Sequence, residues 1–578
     1  MFKLLRYLKG YLKETVLAPS FKLLEASFEL FVPLVVAQII DHGIESHDIS
    51  YILSRSLVLV LLSVVGFIAA VSAQYFSAKA AVGFATKVRS ALFAKIVGMS
   101  YSDIDRAGSS SLITRMTSDI NQLQSGVNLT LRLFLRSPFI VFGAMIMAFT
   151  IDLRASLIFA VMIAVLCLIV FGIMLITIPL HRDVQNSLDT ITLKTRENLT
   201  GSRILRGFRK EAAEKASFSK AADVLEKAQR FAGAISALMN PLTFAVVNLS
   251  IIALIFVGEL EVGNGSISQG QLIALYNYMT QILVELIKLA SLIITLTKAA
   301  ACGHRVSAVI DSDTGEKEGR LEYPSKSAPS VPKIEFRNVS FRYDGASEDS
   351  LSNISFSVMP GQTIGIIGAT GSGKSTLVNL IPAFYSCRCG DIFIDGVNVK
   401  DYKLDELRNK FGIVPQKAVL FRGTIRDNLK WRCSEATDEE LMIAVEAAQA
   451  ADVVLSKPKG LAATVDQNGK NFSGGQRQRL TIARALVGEP DVLIFDDSSS
   501  ALDYATDAAL RASVEKLSFE HTTLIVSQRT SSIMHADTII VLDDGNMVGI
   551  GTHEELYGNC DTYKEIHDLQ FSEKGGNA

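Results

Sequence analysis

The sequence predicts two parts in tandem: a membrane α-helical domain with six transmembrane helices and long cytoplasmic extensions, followed by an α/β domain of the P-loop type. Three observations carry that expectation. Hydrophobic residues make up 49% of the 578 residues, mean hydropathy is +0.29, and the apolar excess lies in the first half as six long runs. A polar, charged segment with three prolines then interrupts the chain at 311–333. Beyond it, strand-like and helix-like stretches alternate, the pattern of a largely parallel sheet, and one of them contains TIGIIGATGSGKST. The expected organisation is therefore 1–310 membrane domain, 311–333 linker and 334–578 nucleotide-binding domain.

The opening MFKLLRYLKGYLKET interleaves Leu, Phe and Tyr with lysines, as in a helix lying in the membrane interface before a first span. It lacks the small-residue cleavage site of a signal peptide. Six runs follow, near 16–40, 52–76, 133–151, 156–180, 238–257 and 271–296, each near or above the ~20 residues needed to cross a hydrocarbon core. Such a series is not the core of a soluble protein. Lys and Arg set the orientation. The short connections 41–48 and 258–269 carry none and the turn 151–154 carries one, whereas the long connections 77–132 and 181–237 are rich in both. The long connections, both termini and everything after the sixth span are thus expected on the cytoplasmic side of a cell membrane. Apolar residues recur at three and four in SLITRMTSDINQLQ and ENLTGSRILRGFRKEAAEK, so the long connections are expected to be helical.

Composition excludes other classes. A formal net charge of -2 offers no global basic surface for nucleic acid. Cys167, Cys302, Cys387, Cys389, Cys433 and Cys560 are scattered and read as reduced thiols, since Cys387-Arg-Cys389 lacks zinc-site spacing. Matches to the N-glycosylation pattern at Asn128, Asn198, Asn248, Asn338, Asn353 and Asn471 fall on the cytoplasmic side or in the membrane. Only Asn264 lies in an external connection, and so short a pattern arises by chance.

Polar residues within the spans form two stripes at helical spacing: Lys22, Glu25 and Glu29 on the first, and Asn277, Gln281, Glu285 and Lys288 on the sixth. Charge at membrane depth is costly and faces a cavity. Glu25, Glu29, Asn277, Gln281 and Glu285 are the candidate substrate contacts.

In the second part, Gly368, Ala369, Thr370, Gly371, Ser372, Gly373, Lys374 and Ser375 fit G-x-x-x-x-G-K-S/T, with the apolar strand 363–367 before them and a helical run from Thr376 after them. Backbone N–H groups of such a turn surround phosphates, the lysine reaches the terminal groups and the serine hydroxyl holds Mg²⁺. NFSGGQRQRLTIARAL lies about a hundred residues on, directly before the strand VLIFDDSSSALD.

With the P-loop, Gln416 in IVPQ, FSGGQ at 472–476, LIFDD and SALD at 500–503 taken together, the chain resembles an ATP-binding cassette transporter. The order of six spans then one P-loop NTPase cassette is similar to a multidrug-type half-exporter. The resemblance implies Tyr343 on adenine, Gln416 sensing Mg²⁺ and the γ-phosphate, and Asp496 holding the metal through water. It implies that Ser473, Gly474, Gly475 and Gln476 serve a nucleotide bound by a second cassette, and that the cytoplasmic hairpins carry coupling helices. ATP and Mg²⁺ are the implied ligands, and a second half-transporter, the bilayer and a small-molecule substrate the implied partners.

Two positions depart from the family pattern. The usual glutamate after the metal aspartate is Asp497, one methylene shorter, and TLIVSQRTSSI places Gln528 where a switch histidine is usual. Glutamine accepts and donates hydrogen bonds but carries neither proton nor charge at neutral pH. With FSGGQ intact, this asymmetry suggests one member of a heterodimeric bacterial exporter: a degenerate site here, and a signature that completes a competent site on the partner. Export of small amphipathic molecules is the leading expectation. Lipid or peptide export, import by an exporter-shaped protein, and a nucleotide-gated regulator that binds ATP without driving transport are the alternatives.

Overall fold

The computed structural model describes residues 2–312, 319–322 and 330–572. Most of the expected linker, residues 313–318 and 323–329, lies outside them. Two compact units are present: Met1–Val97 with Ser109–Ser312, and Gly98–Gly108 with Asp313–Ala578.

The first unit is built on six long helical segments, Lys3–Ile44, Ile49–Val97, Ser109–Ile151, Leu153–Thr200, Glu211–Gly263 and Gln269–Ile310. The shortest have 42 residues, about 63 Å at 1.5 Å per residue. That is roughly twice a hydrocarbon core of ~30 Å, so each helix continues past the membrane. Their outward faces carry Leu57, Phe67 and Leu168, each exposed because lipid rather than protein is their solvent. The inward faces pack Leu30, Ala144, Phe159, Leu254 and Tyr278. Backbones approach closely where side chains are small: a Cβ on Gly126 would lie 2.4 Å from that of Ala299, and one on Gly143 2.5 Å from Leu30.

The turn between the fifth and sixth spans differs from the expected boundary. The fifth helix continues through Gly263, since nothing in 258–263 breaks it and Glu261, inside this extension, pairs with Arg154 at 3.0 Å. Ser268 then caps the sixth helix with Gln271 in a capping box. Asp41 accepts from the Ser268 hydroxyl at 2.5 Å and from Gly270 N at 2.7 Å. The long connections are helical, as expected. The first contains Ser109–Thr114 and Ile120–Leu133 about a π-turn, and the second contains Ser202–Gly207 and Glu211–Ala237.

The second unit contains strands β1 (Ile334–Phe341), β2 (Leu351–Val358), β3 (Thr363–Gly368), β4 (Cys389–Ile394), β5 (Val397–Asn398) and β6 (Phe411–Val414). It continues with β7 (Gly423–Thr424), β8 (Thr464–Val465), β9 (Val492–Asp496), β10 (Thr522–Val526), β11 (Thr538–Asp543) and β12 (Asn546–Gly551). A six-stranded sheet runs β12-β11-β3-β10-β9-β6. It is parallel except at β12, and its strands are continuous apolar runs because both faces are covered. A second, antiparallel sheet, β2-β1-β4-β5, supplies Phe336, Phe356 and Ile392 to a shared core.

The segment Gly98–Gly108 belongs to this unit. Its helix Tyr101–Ala107 is capped by Ser100, which accepts from Asp103 N, and stops at Gly108 with φ +73°. Tyr101 packs 4.6 Å from the Phe384 ring, the Tyr385 hydroxyl donates to Asp105 at 2.8 Å, and Arg106 pairs with Asp344. Burial and the Asp105 carboxylate push the Tyr385 hydroxyl above its ordinary pKa.

Candidate nucleotide site

In an open parallel sheet, ligands bind beyond the carboxyl ends of the strands. Here β10 lies between β3 and β9, with Val526 in register with Ile366 and with Asp496. The turn after β3, the end of β9 and the residues after β6 and β10 therefore converge. They enclose a cleft of about 270 Å³ lined by Tyr343, Thr370, Gly371, Gly373, Lys374, Ser375, Thr376, Gln416, Asp496, Asp497 and Gln528, together with Ser350 and Val526.

The turn needs its glycines. Gly371 and Gly373 have φ of +90° and +94°, and a Cβ on Gly373 would lie 2.7 Å from the Ser350 carbonyl. Lys374 is buried and donates to the carbonyls of Gly368 and Ala369 at 2.9 and 2.6 Å and to Ser372 Oγ at 3.4 Å. Burial lowers its pKa against the pull of Asp497 and Asp496. The cation thus has only neutral oxygens in its hydrogen-bond shell, an arrangement ready for an anion.

The Ser375 hydroxyl donates to Asp496 Oδ1 at 2.8 Å. Burial raises the Asp496 carboxyl above its ordinary range, Asp497 adds to the rise, and the serine bond and Lys374 oppose it. A hydroxyl and a desolvated carboxylate beside a cradle for phosphates form a hard-oxygen set suited to Mg²⁺. Gln416 Nε2 donates to Asp497 Oδ2 at 3.3 Å. Asp497 is buried and left-handed at φ +48°, fixed by Asp497 N donating to Val526 O at 3.0 Å. The Tyr343 hydroxyl lies 3.1 Å from Thr376 Oγ1.

The signature residues are not in this cleft. Ser473 caps the helix Gly474–Leu486 in a capping box with Gln476, Ser473 and Gly474 are exposed, and a Cβ on Gly474 would meet nothing within 4 Å. Sequence reasoning also missed Gln570. Its Oε1 accepts from Thr530 N and Oγ1, both at 2.9 Å, while its Nε2 donates to the Gln528 carbonyl at 2.7 Å. The C-terminal helix Asp561–Ser572 thereby holds the loop that carries Gln528. No spacing rule links a terminal helix to that loop, so no sequence signal marks it.

In the membrane unit the two polar stripes are joined by Arg136, which the sequence reading did not single out. Its Nη1 donates to Glu285 at 2.6 Å and its Nη2 to Glu29 at 2.7 Å. Ser137 Oγ donates to Glu285 at 2.8 Å, and Lys288 pairs with the same carboxylate at 2.8 Å. Glu29, Gln281 and Glu285 line one cavity with Arg136 and Lys288. Glu25 and Asn277 are not among its lining residues, and Glu25 pairs with Lys22 at 2.6 Å.

Six membrane-crossing helices joined to a P-loop cassette define the class: a membrane transporter powered by nucleotide hydrolysis. Residues 15–286 match the family model described as ABC transporter transmembrane region, and residues 351–500 the model described as ABC transporter. The ABC transporter ATP-binding protein YfiB of Bacillus subtilis (strain 168) is 36% identical over 100% of this chain and 99% of its own. The ATP-dependent lipid A-core flippase of Haemophilus influenzae (strain 86-028NP) is 29% identical over 84% of this chain and 82% of its own. A bacterial Atm1-family ABC exporter solved with ATP bound shares the fold, with a TM-score of 0.79 at 23% identity over 98% of this chain and 99% of that one. The chain belongs to the ABC transporter family: it is a multi-pass membrane protein with exporter architecture whose cassette couples ATP hydrolysis to transport.

Proposed function

We propose that this chain is the degenerate-site subunit of a heterodimeric exporter of small amphipathic molecules, with its cassette and both termini in the cytoplasm. The observation that carries this reading is the pair Asp497 and Gln528 on the reacting side of a cleft whose binding residues are otherwise complete. Lys374, the P-loop amides and Thr376 bind the phosphates, and Tyr343 meets the base. Ser375, Gln416 and Asp496 hold Mg²⁺, which when bound neutralises phosphate charge. Asp497 sits where a general base is needed but carries the shorter side chain. Gln528 orients by hydrogen bonding and cannot relay a proton.

Ser473, Gly474, Gly475 and Gln476 serve the other nucleotide. The exposure of Ser473 and Gly474 at a helix N-terminus, where amides and dipole favour phosphate, supports a head-to-tail arrangement of two cassettes. The second connection supports a partner too. Leu199, Ile204 and Phe208 are 72%, 65% and 74% exposed around the short helix Ser202–Gly207, an apolar tip suited to another chain's cassette. The polar stripes, with Glu25, Glu29, Asn277, Gln281 and Glu285, contact the exported molecule.

Co-purification from native membranes tests the proposal. The expected outcome is a second chain of the same layout, with glutamate after its metal aspartate and histidine at its switch position, and a vanadate-sensitive ATPase present only in the pair. Recovery of homodimers alone contradicts it.

A further inference from the structure

A cavity of about 390 Å³ lies among the first, third and sixth spans, with Glu29, Arg136, Gln281, Glu285 and Lys288 in its wall. Its charges are arranged as an inner and an outer pair. The side chains of Arg136 and Glu285 retain 7% and 4% of their surface, while those of Glu29 and Lys288 retain 41% and 42%. Two carboxylates and two cations cancel, and the neighbouring Lys22 and Glu25 cancel each other. What a ligand reaches is one carboxylate and one ammonium. Two polar atoms in the wall are buried without a partner: Arg136 Nε, a donor, and Gln281 Oε1, an acceptor. The only hydrogen bond of the Gln281 side chain among the described residues is long, 3.5 Å from Nε2 to the Glu29 carbonyl.

A neutral ring at membrane depth does not compensate a ligand that brings net charge, and the uncompensated desolvation of that charge opposes binding. A ligand carrying both an ammonium and an anionic oxygen pairs with both outer groups and leaves the inner pair intact. We propose that this cavity recognises the zwitterionic head group of an amphiphile, its ammonium on Glu29, its anionic group on Lys288, and its tail along Val32, Ile140 and Val284. The inference rests on, and deepens, the reading that these stripes contact the exported molecule.

The test uses the full complex purified from its own membrane, without nucleotide, and three dodecyl-chain probes below their micelle concentrations: a lysophosphatidylethanolamine, a lysophosphatidylglycerol and dodecylammonium. Affinities are read by microscale thermophoresis. The zwitterion is expected to bind at least about tenfold more tightly than either charged probe, the effect of one additional charge-assisted hydrogen bond. Glu29→Gln should turn the preference to the anionic probe and Lys288→Gln to the cationic one, inversions that a purely structural ion-pair ring would not produce. Val284→Trp, at an exposed wall position, should block the zwitterion without touching a charge. Equal affinity for the three probes, or a preference that both charge variants leave unchanged, overturns the proposal. Selective binding without ATP-dependent accumulation of the zwitterion in inside-out vesicles would defeat the export reading and leave this site standing. Accumulation of a different amphiphile that the zwitterion does not compete with would do the reverse.

Discussion

Asp497→Glu combined with Gln528→His should raise hydrolysis at this chain's own site by more than the product of the two single effects. Asp497 leaves β9 in a left-handed conformation, with its carboxylate 3.3 Å from Gln416 Nε2, just beyond the ~2.7–3.2 Å range for such bonds. A methylene adds about 1.5 Å of reach, and a misplacement of ~1 Å at a reacting group costs about a hundredfold in rate, or ~2.7 kcal/mol of barrier. The glutamate therefore has up to about that factor to recover. It recovers little alone, because residue 528 would still lack a proton-carrying side chain. A histidine there inherits a loop already fixed by Gln570, so the base and switch act as a unit and their effects multiply beyond independence. The assay is single-turnover cleavage of labelled ATP in the two-chain complex, with the partner's base replaced by glutamine so that only this site is read. A full gain from Asp497→Glu alone, or no gain from the double variant, refutes the reasoning.

Other changes have defined outcomes. Lys374→Ala should weaken ATP binding by about tenfold or more, the worth of one charge-assisted bond, as measured with a fluorescent nucleotide. Arg136→Met leaves Glu285 buried without its guanidinium and should destabilise the membrane unit by about 3–5 kcal/mol, read as a lowered thermal midpoint. Adding Glu285→Gln should recover part of the loss. Gln570→Ala frees the Gln528 loop and should lower ATP turnover without changing nucleotide affinity, while Gln570→Glu, which keeps the Thr530 bonds, should fall between. Because burial raises the Asp496 pKa, the folded state holds that proton more tightly than the unfolded chain, and ionisation opposes folding as pH rises through the folded pKa. Asp496→Asn should raise the thermal midpoint of the nucleotide-free cassette at neutral pH, with the difference vanishing below the ordinary carboxylate value of ~3.9, and should weaken Mg²⁺ binding.

The features legible in the sequence were those with local patterns. Six spans show as runs of apolar residues, and the P-loop, signature and carboxylate strand each occupy one short stretch whose turn and cap chemistry is set by its own residues. What sequence reading missed depends on distance along the chain. Arg136 lies at the start of the apolar run 133–151, with no local pattern to mark it, yet it pairs with Glu285, 149 residues away. The antiparallel sheet β2-β1-β4-β5 escaped because its pairing joins distant stretches and is interrupted by register shifts. The fifth helix runs on past the end of its apolar run at 257 to Gly263, where hydropathy no longer marks it, and Gly258 in this extension packs against Leu272.

The measurement that bears most directly on the division of labour between two sites is single-turnover hydrolysis by the assembled complex, comparing Ser473→Ala with Asp497→Ala in this chain. The expected result is that Ser473→Ala removes most of the activity, since Ser473 serves the nucleotide the partner consumes, while Asp497→Ala removes little. Intact turnover in Ser473→Ala together with its loss in Asp497→Ala would contradict the assignment and exchange the roles of the two sites.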